Sequence, residues 1–274
     1  MSLEDHAGDV LAKARGGWGV SAEEAARLAG LSLGDYAGLE GTGECSRRPD
    51  WAALAARLGL DAAKLERVAH GWLPESRDLT RWRELRQIAT NEGMAVNCYL
   101  VWDEATREAA LFDTGWDARP VFEEIARHSL GLKHLFITHG HSDHVAALRE
   151  IRERFPRVKL HCGSAQAPVD QRNRPNDFLH LGSLRITHRL TPGHAEDGAT
   201  YVVGNWPDDA PHVAIVGDAL FAGSMGRAAG ATFETARRAI REQIFSLPTE
   251  TLICPGHGPV TTVGEEQANN PFFP

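Results

Sequence analysis

The sequence lacks any apolar run near the roughly 20 residues that a membrane-spanning helix needs. It has only four cysteines, and no two of them have CxxC spacing, so we expect neither a disulfide scaffold nor a zinc knuckle. Buried free thiols are the expected state of Cys45, Cys98, Cys162 and Cys254.

Basic residues are also scarce, since the net charge is -8, and no basic stretch is interleaved with aromatic residues. Both features argue against a protein that follows a nucleic-acid phosphate backbone. The N-terminus carries Glu4 and Asp5 and is unlike a secretory signal, so a cytoplasmic location is expected.

The chain has 274 residues, 42% of them hydrophobic and 24% charged, enough for one substantial core and a smaller one. We predict a helical domain over residues 1–72, a linker over 73–84 and a larger domain over 85–274. In the larger domain, apolar strand-like runs alternate with helical faces, such as Val145-Leu148-Ile151, which predicts sheets covered by helices and an α/β class.

The most informative segment is Thr138–His144, which places three histidines and an aspartate directly after the apolar run Leu135–Ile137. Histidine and aspartate are good ligands for Zn²⁺ or Fe²⁺. His139 and His141 face the same way in an extended stretch and can share one ion. Asp143 and His144 lie past the turn and can reach a second ion. The alternative is a solvated, histidine-rich loop.

Three further strand ends supply similar side chains. His194 follows the strand Leu184–Thr187 through a Pro-Gly turn, Asp218 follows His212–Val216, and His257 follows Thr251–Cys254. A single strand-end histidine is usually structural, but the pattern occurs four times.

These residues divide into two expected metal sites. One ion would be held by His139, His141 and His194, and the other by Asp143, His144 and His257, with Asp218 bridging both. We expect two divalent ions, Zn²⁺ first, with Fe or Mn as alternatives. Such a pair lowers the pKa of water from about 15.7 to near 7, so a bridging hydroxide would attack the substrate.

The motif His139-x-His141-x-Asp143-His144, followed by His194, Asp218 and His257, resembles the metallo-β-lactamase superfamily. The turn Asp113–Gly115 resembles the first part of that fold, and the segments 217–221 and 255–259 resemble its glyoxalase II-like branch. The resemblance covers residues 85–274 and implies an αββα sandwich.

The resemblance also implies a binuclear hydrolase of a small acyl substrate, such as the thioester S-lactoylglutathione. Asp143 and Asp218 would be its catalytic carboxylates, and Arg227 is a candidate substrate contact. The alternative enzyme is a persulfide dioxygenase with one iron, held by His139, His194 and Asp218.

The first 70 residues predict five short helices joined by tight turns, and they resemble helix-turn-helix domains of the phage-repressor type. However, residues 32–40 contain no basic side chain, and residues 1–75 hold 8 Lys or Arg against 12 Asp or Glu, a net of 8 - 12 = -4. Because a DNA-binding module should be basic, we expect a helical module for homodimerisation or for covering the active site. The alternative is a DNA-binding regulator with a ligand-sensing metal domain.

Overall fold

The computed structural model describes residues 2–76, 78–174 and 177–274. The five helices expected near the N-terminus are present, and several boundaries have a local cause. Side-chain oxygens of Ser21, Ser32, Asp50 and Asp61 accept the backbone N–H three residues later, which caps the starts of α2 to α5. The helices are α1 (Ala7–Trp18), α2 (Ala22–Ala29), α3 (Leu33–Thr42), α4 (Trp51–Leu58) and α5 (Ala62–Ala69).

Two mixed sheets form the larger part of the protein. The first has five strands in the order β1-β2-β3-β4-β5, and the second has six in the order β13-β12-β9-β8-β7-β6, while β10 and β11 form a separate hairpin. The strands are β1 (Leu85–Asn91), β2 (Ala95–Trp102), β3 (Glu108–Phe112), β4 (Gly131–Ile137), β5 (Lys159–Cys162), β6 (Phe178–Leu181), β7 (Leu184–Leu190), β8 (Ala199–Gly204), β9 (Val213–Gly217), β10 (Leu220–Phe221), β11 (Ser224–Met225), β12 (Leu252–Pro255) and β13 (Thr261–Thr262).

Five further helices accompany these strands: α6 (Arg119–Arg127), α7 (Ser142–Val145), α8 (Leu148–Arg154), α9 (Ala231–Ala239), which continues as a π-helix over Ile240–Ile244, and α10 (Val263–Asn269). Alternate residues of a strand face opposite sides of its sheet. Tyr99 and Val101 therefore pack between the two sheets, whereas Cys98 and Leu100 pack under α6 and α8. The layers are helix, sheet, sheet and helix, as expected for an αββα sandwich.

The outer face of the second sheet is covered jointly by α9 and the N-terminal helices. Val202, Ala214 and Ile253 of the sheet belong to the same buried cluster as Leu11 of α1 and Leu54 of α4. Polar contacts also join the N-terminal helices to the C-terminal residues, since the N–H of Asp61 donates to the carbonyl of Pro271 over 2.8 Å. The division of the chain into domains at residues 72 and 85 stays a prediction.

The predicted linker, residues 73–84, includes Arg77, which lies outside the described residues. Its described part contains a short 3-10 turn, Leu79–Arg81, and ends near Trp82, whose indole N–H donates to the carbonyl of Pro211. Among the residues that the structure describes, none of the helices combines the length and the apolar character of a membrane-spanning segment. Cys98, Cys162 and Cys254 are buried free thiols, while Cys45 is half-buried.

Strand direction brings the ends of β4, β7, β9 and β12 to one edge of the sandwich. β9 and β12 are parallel, and β7 runs in the same direction because it is antiparallel to β8, which is antiparallel to β9. The two sheets are joined there, since the Tyr201 hydroxyl donates to the carbonyl of Ile137 and that of Tyr99 donates to the carbonyl of Pro255.

The β10–β11 hairpin lies beside this edge and is held from behind by a buried carboxyl group. Glu266 of α10 has no exposed surface, and it accepts hydrogen bonds from the N–H of Gly223, the Asn270 amide and the Thr261 hydroxyl. Burial outweighs these donors and raises the pKa of Glu266 to about 7.

This raised pKa predicts a pH dependence of stability. The contribution of Glu266 is complete below its unfolded pKa of 4.5 and is lost as the pH rises through 7. In Glu266→Gln this loss is absent, so the free energy of unfolding of the variant, relative to wild type, should rise by about 2 kcal/mol between pH 5 and pH 8. Urea unfolding of both proteins at the two pH values measures it. An unchanged difference would contradict the raised pKa.

Candidate metal centre

Four loops at this edge bring all seven predicted ligand residues together. In the first group, Nδ1 of His141 lies 3.0 Å from Nε2 of His139 and 3.0 Å from Nε2 of His194. One ligand atom of each residue lies within 4.8 Å of the other two. Three imidazole nitrogens therefore lie close enough together to contact one ion.

The second group is made by Asp143, His144 and His257, whose ligand atoms also lie within 4.8 Å of one another. Oδ2 of Asp143 lies 3.5 Å from Nε2 of His144 and 3.2 Å from Nε2 of His257. Asp143 and His144 are on the short helix α7, which starts immediately after the His139–His141 stretch and turns these two side chains toward the His257 loop.

Asp218 lies between the two groups, and its two oxygens face different neighbours. Oδ1 lies 3.2 Å from Nε2 of His144, while Oδ2 lies 3.3 Å from Nε2 of His257 and 3.6 Å from Nε2 of His194. The carboxylate is thus within reach of ligands from both groups, which is the position that a bridging ligand needs.

Each of four histidines makes a hydrogen bond through the ring nitrogen that faces away from the centre. Nδ1 of His144 bonds to Oδ2 of Asp113 over 2.7 Å, Nδ1 of His194 to the carbonyl of Arg227 over 3.0 Å, and Nδ1 of His257 to the carbonyl of Ala95 over 2.6 Å. Nδ1 of His139 lies 3.1 Å from the Thr138 hydroxyl. Such partners fix the tautomer and orientation of metal-binding histidines, and here they leave Nε2 of all four directed inward.

Asp113 supports the candidate centre, and the ligand pattern alone does not reveal it. It follows β3, the parallel neighbour of β4, and accepts the N–H and the hydroxyl of Thr138 in addition to bonding His144. Its φ of 57° is in the left-handed region, a strained conformation that often marks functional sites. An aspartate directly after a buried strand beside the His-rich loop is the sequence signal that could have indicated it.

The pKa values of the side chains in the centre, taken without a bound cation, indicate which of them carry charge. Burial lowers the pKa of His139 to about 2. For His144, burial acts in the same direction, but Asp113 and Asp218 outweigh it and raise its pKa to about 10. For His257, the hydrogen bond and charge of Asp218 likewise outweigh burial and raise its pKa to about 9. Asp218 stays ionised because these histidines, against the effect of burial, hold its pKa well below the usual range.

Two atoms at the middle of the centre indicate that a cation fits there. Nε2 of His144 and Oδ1 of Asp218 are fully buried and lie 3.2 Å apart, yet neither has a hydrogen-bond partner of acceptable geometry, although nearly every buried polar atom in proteins is satisfied. Both are metal-ligand atoms, and a divalent cation between them would satisfy both. The donor set of imidazole nitrogens and carboxylate oxygens suits zinc, iron or manganese.

The first group is the more accessible of the two. His141 is exposed and His194 is half-buried, whereas Asp143, His144 and His257 are buried. The Arg227 side chain, the predicted substrate contact, is exposed, and its carbonyl supports His194.

The sequence family described as the metallo-beta-lactamase superfamily matches residues 91–257, more than half of the chain and the whole span of the ligand residues. This chain belongs to the metallo-beta-lactamase superfamily. Residues 1–90, with the five N-terminal helices, lie outside the matched region.

Individual superfamily members resemble the chain over about two thirds of its length. Hydroxyacylglutathione hydrolase GloC of Haemophilus influenzae is 30% identical over 201 residues, which cover 65% of this chain and 92% of GloC. The crystal structure of ETHE1 from Myxococcus xanthus is 31% identical with a TM-score of 0.59, covering 68% of this chain and 83% of that one. The structure of TTHA1623 in a di-iron-bound form is 25% identical with a TM-score of 0.51, covering 69% of this chain and 100% of that one.

Two glycines of this metallo-beta-lactamase domain allow the ligands to approach so closely. A Cβ atom on Gly256 would lie 2.3 Å from Oδ1 of Asp218 and 2.6 Å from Cε1 of His144. A Cβ atom on Gly226 would lie 1.9 Å from the carbonyl oxygen of Asp218 and 2.8 Å from Cγ of His194. Both backbones therefore form part of the wall of the centre.

Proposed function

We propose that this chain is a metal-dependent hydrolase with two divalent ions that acts on a small acyl substrate, a thioester of the hydroxyacylglutathione type. The observation that carries the proposal is the pair of ligand groups, with Asp218 near histidines of both and with buried atoms of His144 and Asp218 that lack a hydrogen-bond partner between them.

His139, His141 and His194 would hold one ion, and Asp143, His144 and His257 the other, with Asp218 contributing to both. When bound, two such ions supply Lewis acidity at an acyl carbonyl and lower the pKa of water toward 7. The chain itself orients the ligands through Asp113 and the carbonyls of Ala95 and Arg227, and burial excludes water from one side. We assign the catalytic carboxylate roles to Asp143 and Asp218 and a substrate contact to Arg227 at the exposed rim.

The thioester is supported by similarity to GloC, whose name states the hydrolysis of hydroxyacylglutathione. Thioesters also suit the centre chemically, because a thiolate is a good leaving group and the slow step is then attack on the carbonyl, the step that Lewis acidity assists.

A second candidate is a persulfide dioxygenase with one iron, held by His139, His194 and Asp218. Similarity to ETHE1 favours it, and Oδ2 of Asp218 lies 3.6 Å from Nε2 of His194. In that enzyme Asp143 and His257 would not contact the working metal.

Asp143 separates the two candidates. In the hydrolase, Asp143→Ala removes a ligand of the second ion, so we expect metal content to fall from about two to one per chain and S-lactoylglutathione hydrolysis to fall more than about 100-fold. In the dioxygenase, the same variant would keep its one iron and its O₂ consumption with glutathione persulfide. Metal analysis and both assays on each protein measure this.

His194→Ala is the matched comparison, because both candidates need His194. It should abolish activity of either kind. One iron per wild-type chain, with oxygen consumption that survives Asp143→Ala but not His194→Ala, would refute the hydrolase and establish the dioxygenase.

For the N-terminal helices we propose no DNA-binding role, although the helix-turn-helix resemblance stays a prediction. The candidate recognition helix α3 contains no lysine or arginine, and its side chains Tyr36 and Leu39 are buried. A DNA-binding regulator with a ligand-sensing metal domain is therefore the less supported function.

A further inference from the structure

The first helix of the chain reaches the metal centre through a buried lysine. Lys13 of α1 is only 7% exposed, and its Nζ donates to the carbonyl of Met225 over 2.9 Å. The same ammonium pairs with Asp5, also 7% exposed, and lies 4.9 Å from the centroid of the Phe221 ring. Lys13 thus binds both strands of the β10–β11 hairpin.

This hairpin leads directly to the supports of two ligand histidines. On one strand, the Phe221 ring packs edge-on against His257, with centroids 5.8 Å apart and an interplanar angle of 82°. After the other strand, Gly226 lies against His194 and Asp218, and the carbonyl of Arg227 bonds Nδ1 of His194. A shift of the hairpin would therefore move one ligand of each group.

The segment before α1 also touches the His257 loop. A Cβ atom on Gly258 would lie 3.1 Å from the backbone nitrogen of Glu4 and 3.2 Å from its Cβ, so Glu4 packs directly on the residue after His257.

We propose that the N-terminal helical part is a structural component of the metal centre, and that Lys13 is a positioning residue for His194 and His257. Asp5 neutralises the lysine, which would otherwise place an uncompensated positive charge close to bound cations. The five N-terminal helices, which lie outside the region that matches the superfamily, would then help to position the ligands of the metal centre. This inference rests on the metal site proposed above.

The double variant Asp5→Asn/Lys13→Met tests the inference in the full chain, because it removes both charges and leaves no unpaired ion buried. Changes to residues that orient metal ligands typically weaken metal binding 10- to 100-fold. We expect a rise of about that size in the zinc dissociation constant, measured by competition with a chromophoric chelator, and an altered visible absorption spectrum of the cobalt-substituted protein.

Lys64→Met is the matched control. Lys64 is another lysine of the N-terminal helices that donates to carbonyls of the C-terminal region, those of Gln267 and Phe273 over 2.8 and 2.5 Å. Neither acceptor supports a ligand histidine, so we expect zinc affinity within about twofold of wild type and an unchanged cobalt spectrum.

The inference is overturned if the folded double variant binds zinc as wild type does, or if Lys64→Met weakens binding equally. If the double variant does not fold, Phe221→Leu, which removes the aromatic link between Lys13 and His257, is measured with the same expected direction, and unchanged binding overturns the inference. Wild-type protein that binds no zinc, iron or manganese would refute the metal site itself.

Discussion

Replacing Asp218 with alanine is expected to remove hydrolytic activity almost completely, by more than about 1,000-fold, and to leave fewer than two metal ions per chain. Loss of one preorganised electrostatic group commonly costs about 100- to 1,000-fold in rate, and Asp218 additionally lies within reach of both ligand groups. It is the carboxylate whose oxygens approach His144, His194 and His257.

The measurement is the steady-state hydrolysis of S-lactoylglutathione beside metal analysis of the same sample. Glu150→Ala, an exposed carboxylate on α8, is the control and should keep both activity and metal content. Asp218→Asn keeps the shape but loses the charge, so it should fall between wild type and Asp218→Ala. Full activity in Asp218→Ala would show that the bridging assignment is wrong.

The second large effect is expected from a single methyl group at Gly256. In Gly256→Ala, the new Cβ would lie 2.3 Å from Oδ1 of Asp218 and 2.6 Å from Cε1 of His144, so both side chains must move. A displacement of about 1 Å in a catalytic site can cost about 100-fold in rate. We expect at least that loss of activity, together with weaker binding of metal in the group that contains His144.

Gly38→Ala is the matched control, because Gly38 lies in α3 with no atom within 4 Å of the added Cβ. It should keep full activity and gain about 0.5 to 1 kcal/mol of stability, as glycine in a helix interior costs about that much relative to alanine. Activity assays and chelator competition on both variants decide the matter. A Gly256→Ala protein with wild-type metal affinity would contradict the packing described here.

The two ligand groups differ in their exposure to solvent. The group with His141 and His194 is open to solvent at its rim, whereas Asp143, His144 and His257 are buried and held by Asp113 and the carbonyl of Ala95. Under the proposed function, a substrate that approaches from solvent would meet the first group and the exposed side chain of Arg227 before it reaches the second.

Much of the fold follows from local patterns in the sequence. The apolar runs before Thr138, Gly217 and Pro255 each form a strand or the end of one, because their residues suit a buried sheet, and the mixed stretch before Pro192 forms β7. The N-terminal helices α2 and α4 each begin after a side-chain cap, Ser21 or Asp50, and each end at a glycine. Fold class and the αββα layering were therefore predictable, the layering through the superfamily resemblance.

The surroundings of the ligands were less predictable. Asp113 is 31 residues from His144, and the carbonyl of Ala95 is 162 residues from Nδ1 of His257. Every residue has a backbone carbonyl group. No residue type therefore marks the carbonyl of Ala95, which bonds His257, or that of Arg227, which bonds His194. The close approach at Gly256 is likewise invisible, because many Pro-Gly turns serve only to reverse the chain.

The side chains that could bind metal are recognisable in the sequence, since histidine and aspartate after strand ends are a local pattern with a chemical meaning. Their orientation, and the contacts of the N-terminal helices, follow from the folded chain. Those features depend on long-range packing: Lys13 meets Met225 across 212 residues because α1 covers the sheet that carries Asp218. The sequence pattern around Lys13 does not predict this contact, and neither does the pattern around Met225. The contact forms only when the surface of α1 and the surface of the sheet are buried against each other.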